Sequence, residues 1–386
     1  MDYREAGGAD PLDASLPTVP APASPRALDL LLRTRVALGL QPVSAPAVIF
    51  MPIGFALANV GILPRSALGH LEALVTLALC ALGVFIGMGL DVRPRERRLL
   101  AAASVEALIT IAVVGVATLF LLSRWGLHLE TALGLVAAML AVAASVSSAS
   151  APEHEGDLTH VTTTRIADLD DAVSVVAGAL VLAALTRPGV QGVLQLCGAT
   201  IIVGALGGFA GWLLLERAHS TAERAVFVLG TIALIGGAAA YLNSSPVLAG
   251  LVAGVGWRYL PGHADRIVRG DVTKFQHPLV ILLLVVAGAL VELTPLAIWL
   301  LAPFIVFRLL GKLLGAWAAA LLVPPIRATD LAAYLLSPGL LGIALTLNVV
   351  QVSSTSVALD VASAVAIGTL VSELLAFVAL PGSGRA

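Results

Sequence analysis

Between residues 45 and 380 the sequence is a succession of apolar runs, separated by short segments that hold most of the charge. A run of about 20 residues, rising 1.5 Å per residue as a helix, is long enough to cross a hydrocarbon core roughly 30 Å thick. Twelve runs are read, at approximately 45–62, 69–90, 99–122, 131–149, 161–185, 190–215, 223–242, 246–262, 276–292, 295–323, 329–350 and 357–380. In lipid every backbone polar group must be satisfied within the structure, which leaves only helices or a closed barrel. These runs are continuous rather than alternating, so they are predicted to be helices. The expected fold class is an all-α polytopic membrane protein of twelve spans. Composition excludes a soluble domain, since 59% hydrophobic and 12% charged residues among 386 leave too little charge to clothe a surface.

Basic residues set an orientation. With the N-terminus inside, seventeen Lys and Arg fall in cytoplasmic segments, among them Arg93, Arg95, Arg97, Arg98, Arg165, Arg258 and Lys274, and only Arg65, Arg124 and Arg187 fall outside. That asymmetry obeys the positive-inside rule and predicts cytoplasmic N- and C-termini. Residues 1–26 are rich in Pro and Ala without an apolar core, so a disordered tail is expected rather than a signal peptide. Residues 27–40 are too short and too charged to span, which leaves 1–40 as a cytoplasmic tail with an interfacial helix and 45–380 as one membrane domain. Cys80 and Cys197 both lie inside spans, so neither a disulfide framework nor a zinc site is expected. The cluster Glu153, His154, Glu155, Asp157 and His160 in a cytoplasmic loop is read as a solvated charged loop in preference to a metal site. No glycine-rich nucleotide fingerprint is present.

Against this apolar background, Asp170 and Asp171 stand side by side in IADLDDAVSVVAGALVLAAL. An ionised carboxylate inside a span costs at least a few kcal/mol, and residues held at that cost mark ion pathways and proton relays. The chain has two lysines against twenty arginines, and one of the two, Lys312, lies near the middle of span ten with Arg308 one turn before it. A buried lysine can release its proton, whereas an arginine can only pair. Snorkelling to the interface is the bland alternative for both, and their central position argues against it.

Two spans carry signs of broken backbone. Span four runs into AVAASVSSASAPE, where Ser145, Ser147, Ser148 and Ser150 compete for backbone groups. Span eleven contains YLLSPGLLGIAL, where Ser337, Pro338 and Gly339 interrupt the hydrogen-bond ladder. Irregular backbone at that depth survives only against protein or a watery cavity. Spans four and eleven run in opposite directions, as expected of an inverted repeat of spans 3–5 and 10–12 with discontinuous crossing helices. Opposed half-helix ends leave partial charges near the midplane, which an acidic span five and a basic span ten can neutralise.

The LDDAV segment at 169–173, the Ser-rich break before it, YLNSSPVLAGLVAG at 241–254 and RLLGKLLGA at 308–316 together resemble the monovalent cation:proton antiporter superfamily, sodium/proton exchanger type. The resemblance covers nearly all of 45–380. It implies that Asp171 binds the cation (Na+) or a proton in competition, that Asp170 pairs with Lys312, and that Lys312 is the titrating base. It places Ser145 and Ser147 near the polar crossover of span four. It also implies a core of spans 3–5 and 10–12 moving against a scaffold of spans 1, 2 and 7–9, with span 6 linking them, and a homodimer formed through the scaffold. The chain departs from the pattern in having Ser147–Ser148 where a Thr-Ser pair is commoner, and in a short acidic loop between spans four and five.

Asp168, Glu106, Asp360 and Glu373 also lie in or near spans. Asp168, one turn before Asp171, can pair with Arg308. Glu106 and Glu373 are expected to form structural ion pairs, and Asp360 to be solvated. Three functions are weighed. Antiport needs adjacent acids, a nearby base and broken helices, all present; exchange is expected to be electrogenic, with Na+ favoured and K+ or Li+ as alternatives. An intramembrane aspartyl protease needs two acids facing one water, whereas neighbours on one helix point about 100° apart. A sodium-coupled symporter of an organic anion shares the architecture but gives a titratable lysine no role. No enzyme activity, cofactor or nucleic-acid partner is expected. The expected location is the bacterial inner membrane.

Overall fold

A computed structural model describes residues 46–64, 69–90, 96–124, 130–147, 158–261, 264–323, 326–336, 339–353 and 355–379. The expected tail and interfacial helix at 1–40, the loop with Glu153, His154, Glu155 and Asp157, and Ser148, Ser150, Ser337 and Pro338 lie outside them, as do the side chains of His160 and Lys274.

The described residues form thirteen α-helices and one short 3-10 turn, with no strand. Helices α1 (Pro46–Asn59), α2 (Glu72–Gly89), α3 (Arg97–Arg124), α4 (Glu130–Ser145), α5 (Leu158–Thr186), α6 (Val190–Arg217), α7 (Thr221–Tyr241), α8 (Pro246–Tyr259), α9 (Ala264–Leu290) and α10 (Pro295–Ala320) fall in spans one to ten. Span eleven is divided into α11 (Ala328–Leu335) and α12 (Leu340–Val352), and α13 (Ser356–Ala379) is span twelve. The chain is thus an all-α polytopic membrane protein. Seven of the described helices are long and apolar enough to cross a membrane unaided: α2 with its 3-10 lead-in, α3, α5, α6, α7, α10 and α13. Exposed apolar side chains such as Leu108, Val116 and Phe120 on α3, Ile202 and Leu206 on α6, and Leu313 and Trp317 on α10 suit hydrocarbon as solvent.

Three of the other five spans are short or broken for local reasons. Helix α8 has only 14 residues because the chain turns at 242–245 and the Ser245 hydroxyl accepts from the Leu248 N–H at 3.2 Å, with Pro246 opening the helix. Helix α4 stops at Ser145, whose hydroxyl turns back to the Val142 carbonyl at 2.8 Å. Val146 and Ser147 continue without helical structure. Span eleven breaks between Leu335 and Leu340. The two breaks touch: a Cβ on Gly339 would lie 2.5 Å from Val146 Cγ1 and 3.0 Å from the Ser147 carbonyl oxygen, so only glycine permits the crossing.

Backbones also meet closely elsewhere. Gly83 and Gly87 of α2 face Gly250 and Gly254 of α8, and a Cβ on Gly250 would stand 2.1 Å from the Cys80 carbonyl oxygen. Small residues four apart on both partners let helices approach where water cannot drive them together. Around the aspartates, α3 packs against both α5 and α10, between two apolar clusters. One holds Ala102, Ala103, Ile166, Leu169, Ala316 and Ala319. The other holds Val114, Leu140, Ala144, Phe304 and Val361. Residues 106–110 of α3, 170–171 of α5 and 308–312 of α10 fall between them along each helix, which makes a charged layer sealed above and below by hydrocarbon side chains.

Gly250→Val forces a branched side chain into the α2–α8 contact, and overpacking of this kind typically costs about 1–3 kcal/mol. The expected result is a lowered thermal midpoint in detergent. Gly237→Val, where an added Cβ meets nothing within 4 Å, is the control and stays close to wild type.

Candidate functional site

The centre of the charged layer is Lys312. Its side chain is fully buried, as are those of its two carboxylate partners: Nζ lies 3.0 Å from Glu106 Oε1 and 3.3 Å from Asp170 Oδ2. It also donates to the Ser147 hydroxyl at 2.5 Å and to the Ser145 carbonyl oxygen. Ser147 passes the connection on by donating to Asp170 Oδ2 at 2.7 Å. Thr110 donates to Glu106 Oε1 at 3.1 Å from the next turn of α3. An ammonium has three protons, and four acceptors surround this one, so its partners compete.

Arg308, one turn earlier, does something different. Its guanidinium donates to the Leu336 carbonyl at 2.6 Å and to the Val146 carbonyl at 3.1 Å. Leu336 follows α11 and Val146 follows α4, so a single side chain binds the backbone at both helix breaks. The final carbonyls of a helix have no partner within it and carry the negative end of its dipole. Arg308 and Lys312, which takes the Ser145 carbonyl, supply the missing donors together. The charge of Arg308 is also set among those of Glu106, Asp170 and Glu373.

The paired aspartates divide as their helix geometry requires. Asp170 is fully buried and faces Lys312 and Ser147, while Asp171 turns about 100° away and is half-buried. Each keeps one buried carboxylate oxygen, Oδ1, without a hydrogen-bond donor. Ser145 and Ser174 share a hydrogen bond of 2.7 Å, and Ser174 donates to the Asp170 carbonyl oxygen at 3.1 Å, which ties the end of α4 to α5 beside the pair. Two buried carboxylate oxygens are thus left that no protein donor claims. Among the described residues no three His, Cys, Asp or Glu side chains are grouped to hold a metal ion.

The supporting acids are placed differently from one another. Asp168 does not reach Arg308: its side chain is 55% exposed and lies 3.9 Å from Arg165, one turn earlier, because position 168 sits on the outer face of α5 while Arg308 is committed to the two breaks. Asp360, expected to be solvated, is buried and accepts from Thr294 Oγ1 at 2.5 Å. Thr294 also caps α10 by accepting from the Ala297 N–H, so Asp360 of α13 is drawn to the start of that helix. Glu373 keeps a buried Oε2 without a donor. Sequence reasoning left Glu106 without a named partner and did not single out Thr110 or Ser174. The signal for Glu106 was legible, since it is the sole acid in its apolar run.

Sequence comparison finds no matching family model and no matching curated protein. Structural comparison finds the sodium proton antiporter MjNhaP1 from Methanocaldococcus jannaschii at pH 8, with a TM-score of 0.62, 14% sequence identity, and coverage of 91% of this chain and 95% of that one. The chain shares the fold of a sodium proton antiporter. At this identity the likeness concerns the path of the backbone, and the residues of the charged layer stand on their own geometry.

Removing one member of a buried ion pair leaves its partner uncompensated, at a cost of roughly 3–5 kcal/mol. Lys312→Met is therefore expected to lower the unfolding midpoint strongly. Adding Asp170→Asn and Glu106→Gln to it should recover part of the loss. Additive losses in the combined variant would show that the three groups do not form one electrostatic unit.

Proposed function

We propose that this protein is a secondary transporter exchanging a monovalent cation, Na+ foremost, for protons by alternating access. The observation that carries the reading is the pair of unclaimed buried oxygens on Asp170 and Asp171, set beside two crossed helix breaks in a fold shared with a sodium proton antiporter. Burial favours the neutral form of a carboxyl group, so a proton and a cation compete for the same oxygens, and exclusive occupancy is sufficient for exchange. In this reading Asp171 receives the ion, Asp170 is its partner, and Ser145 and Ser147 hold the α4 side of the site. Arg308 holds both breaks in place.

The core of spans 3–5 and 10–12 moves against a scaffold of spans 1, 2 and 7–9. Support comes from the close α2–α8 packing on one side and the α3–α5–α10 charged layer on the other. The protein works as a homodimer in a bacterial inner membrane, with both termini cytoplasmic. Asp171→Asn removes the anionic form of the site and also relieves its desolvation, so cation-driven proton movement is lost while the folded protein persists. Exchange at the wild-type rate in that variant, measured with a pH dye in proteoliposomes, would exclude Asp171 as the ion carboxylate.

Stoichiometry turns on Lys312. An ion drawn to Asp170 displaces the ammonium; if Lys312 then releases its proton, two protons move per cation and the cycle is electrogenic. The 3.0 Å contact with Glu106 favours a second reading, in which the ammonium keeps its charge against Glu106 and exchange is neutral. We favour the electrogenic cycle, because a lysine is otherwise unexplained where the chain uses arginine for ordinary charge. An imposed membrane potential should change the wild-type exchange rate and lose that effect in Lys312→Arg. Wild-type exchange indifferent to potential selects the neutral cycle.

A further inference from the structure

We infer that Asp168 is a capture carboxylate: the incoming cation docks at Asp168, on the outer face of α5, before it passes one helical turn inward to Asp171. This rests on the exchange reading above and assigns the side chain that first meets the ion.

Three observations carry it. Asp168 stands at the edge of the apolar part of α5, immediately before the run 169–186, whose only charged residues are Asp170 and Asp171. Its side chain there is 55% exposed. An exposed carboxylate at the end of a span is met by water rather than hydrocarbon. Secondly, its cation neighbour is shared with other partners. Arg165 stands 3.9 Å away and is engaged elsewhere, with Nη2 on both oxygens of Glu96 at 3.3 and 3.2 Å and Nη1 on the Gly89 carbonyl at 3.2 Å. Thirdly, residues three apart on a helix are neighbours on one face, with Cβ atoms roughly 5–6 Å apart. Asp171, with a buried and unclaimed Oδ1, is the next carboxylate along that face, and α5 carries no acid beyond it.

An exposed charge at the mouth of a low-dielectric site concentrates counter-ions there. Its loss should therefore weaken capture more than turnover. A purely structural Asp168, acting by steadying Arg165, would lower the maximal rate or the yield of folded protein and leave the cation dependence alone.

The test is Na+-dependent proton movement in proteoliposomes, at a series of NaCl concentrations, for wild type, Asp168→Asn, Asp168→Lys and Asp168→Glu. The half-saturating Na+ concentration should rise about three- to tenfold in Asp168→Asn, further in Asp168→Lys, and return toward wild type in Asp168→Glu, with the maximal rate falling by less than that factor. Choline chloride, which screens without competing, should raise the half-saturating concentration of wild type and leave Asp168→Asn little changed. An unchanged half-saturating concentration in Asp168→Asn overturns the inference, as does a loss confined to the maximal rate. Wild-type vesicles without any Na+-dependent proton movement would overturn the exchange reading itself, an outcome distinct from either.

Discussion

Two broken helices meet in the middle of this protein, and the orphaned carbonyls they leave are satisfied by the two cations of α10. Arg308 binds Val146 and Leu336, and Lys312 binds Ser145. In water such carbonyls would find solvent. At the centre of a membrane protein they need donors from side chains, and a donor that carries positive charge also answers the negative ends of α4 and α11. The rest of the architecture follows from this requirement.

Burying two cations raises a second need, for anions. Glu106 from α3 and Asp170 from α5 meet it, both fully buried and both within 3.3 Å of Lys312. Three helices far apart in sequence are thereby fixed at one depth. The glycines of α10 allow the approach: a Cβ on Gly315 would stand 2.8 Å from the Glu106 carbonyl oxygen. Apolar clusters on either side exclude water from the layer, which strengthens every charge interaction within it and makes each unpaired polar atom expensive. The oxygens still without a donor, on Asp170, Asp171, Glu106 and Glu373, are for that reason the chemically significant ones. A layer so fully charged has few ways to accept an added proton or cation, and those ways are what a transport cycle would use.

The contrast among the acids of one helix shows how little depth alone decides. Asp168, Asp170 and Asp171 lie within a single turn of α5, yet one is largely exposed, one is fully buried against Lys312, and one is half-buried with a free oxygen. The helical rotation of about 100° per residue separates them. Their neighbours do the rest: Arg165 held by Glu96 on the outside, and Lys312 and Ser147 on the inside.

The helical class, the number of spans and the two breaks are readable in the amino-acid sequence alone. Apolar run length, the need to satisfy backbone in lipid, and the placement of Ser, Pro and Gly are local properties that no fold can override. The sequence also marked Asp170, Asp171, Arg308 and Lys312, since a charge in hydrocarbon is conspicuous wherever it falls. Pairing was decided by the tertiary structure. Nothing local says that Lys312 sits between Glu106 and Asp170, that Arg308 serves the two breaks rather than Asp168, or that Asp360 is buried against Thr294. Those choices depend on which faces of α3, α5, α10 and α13 are turned together. Glycine contacts and the crossing of the broken helices set those faces, and such contacts between residues distant in the chain are not written in any one segment of it.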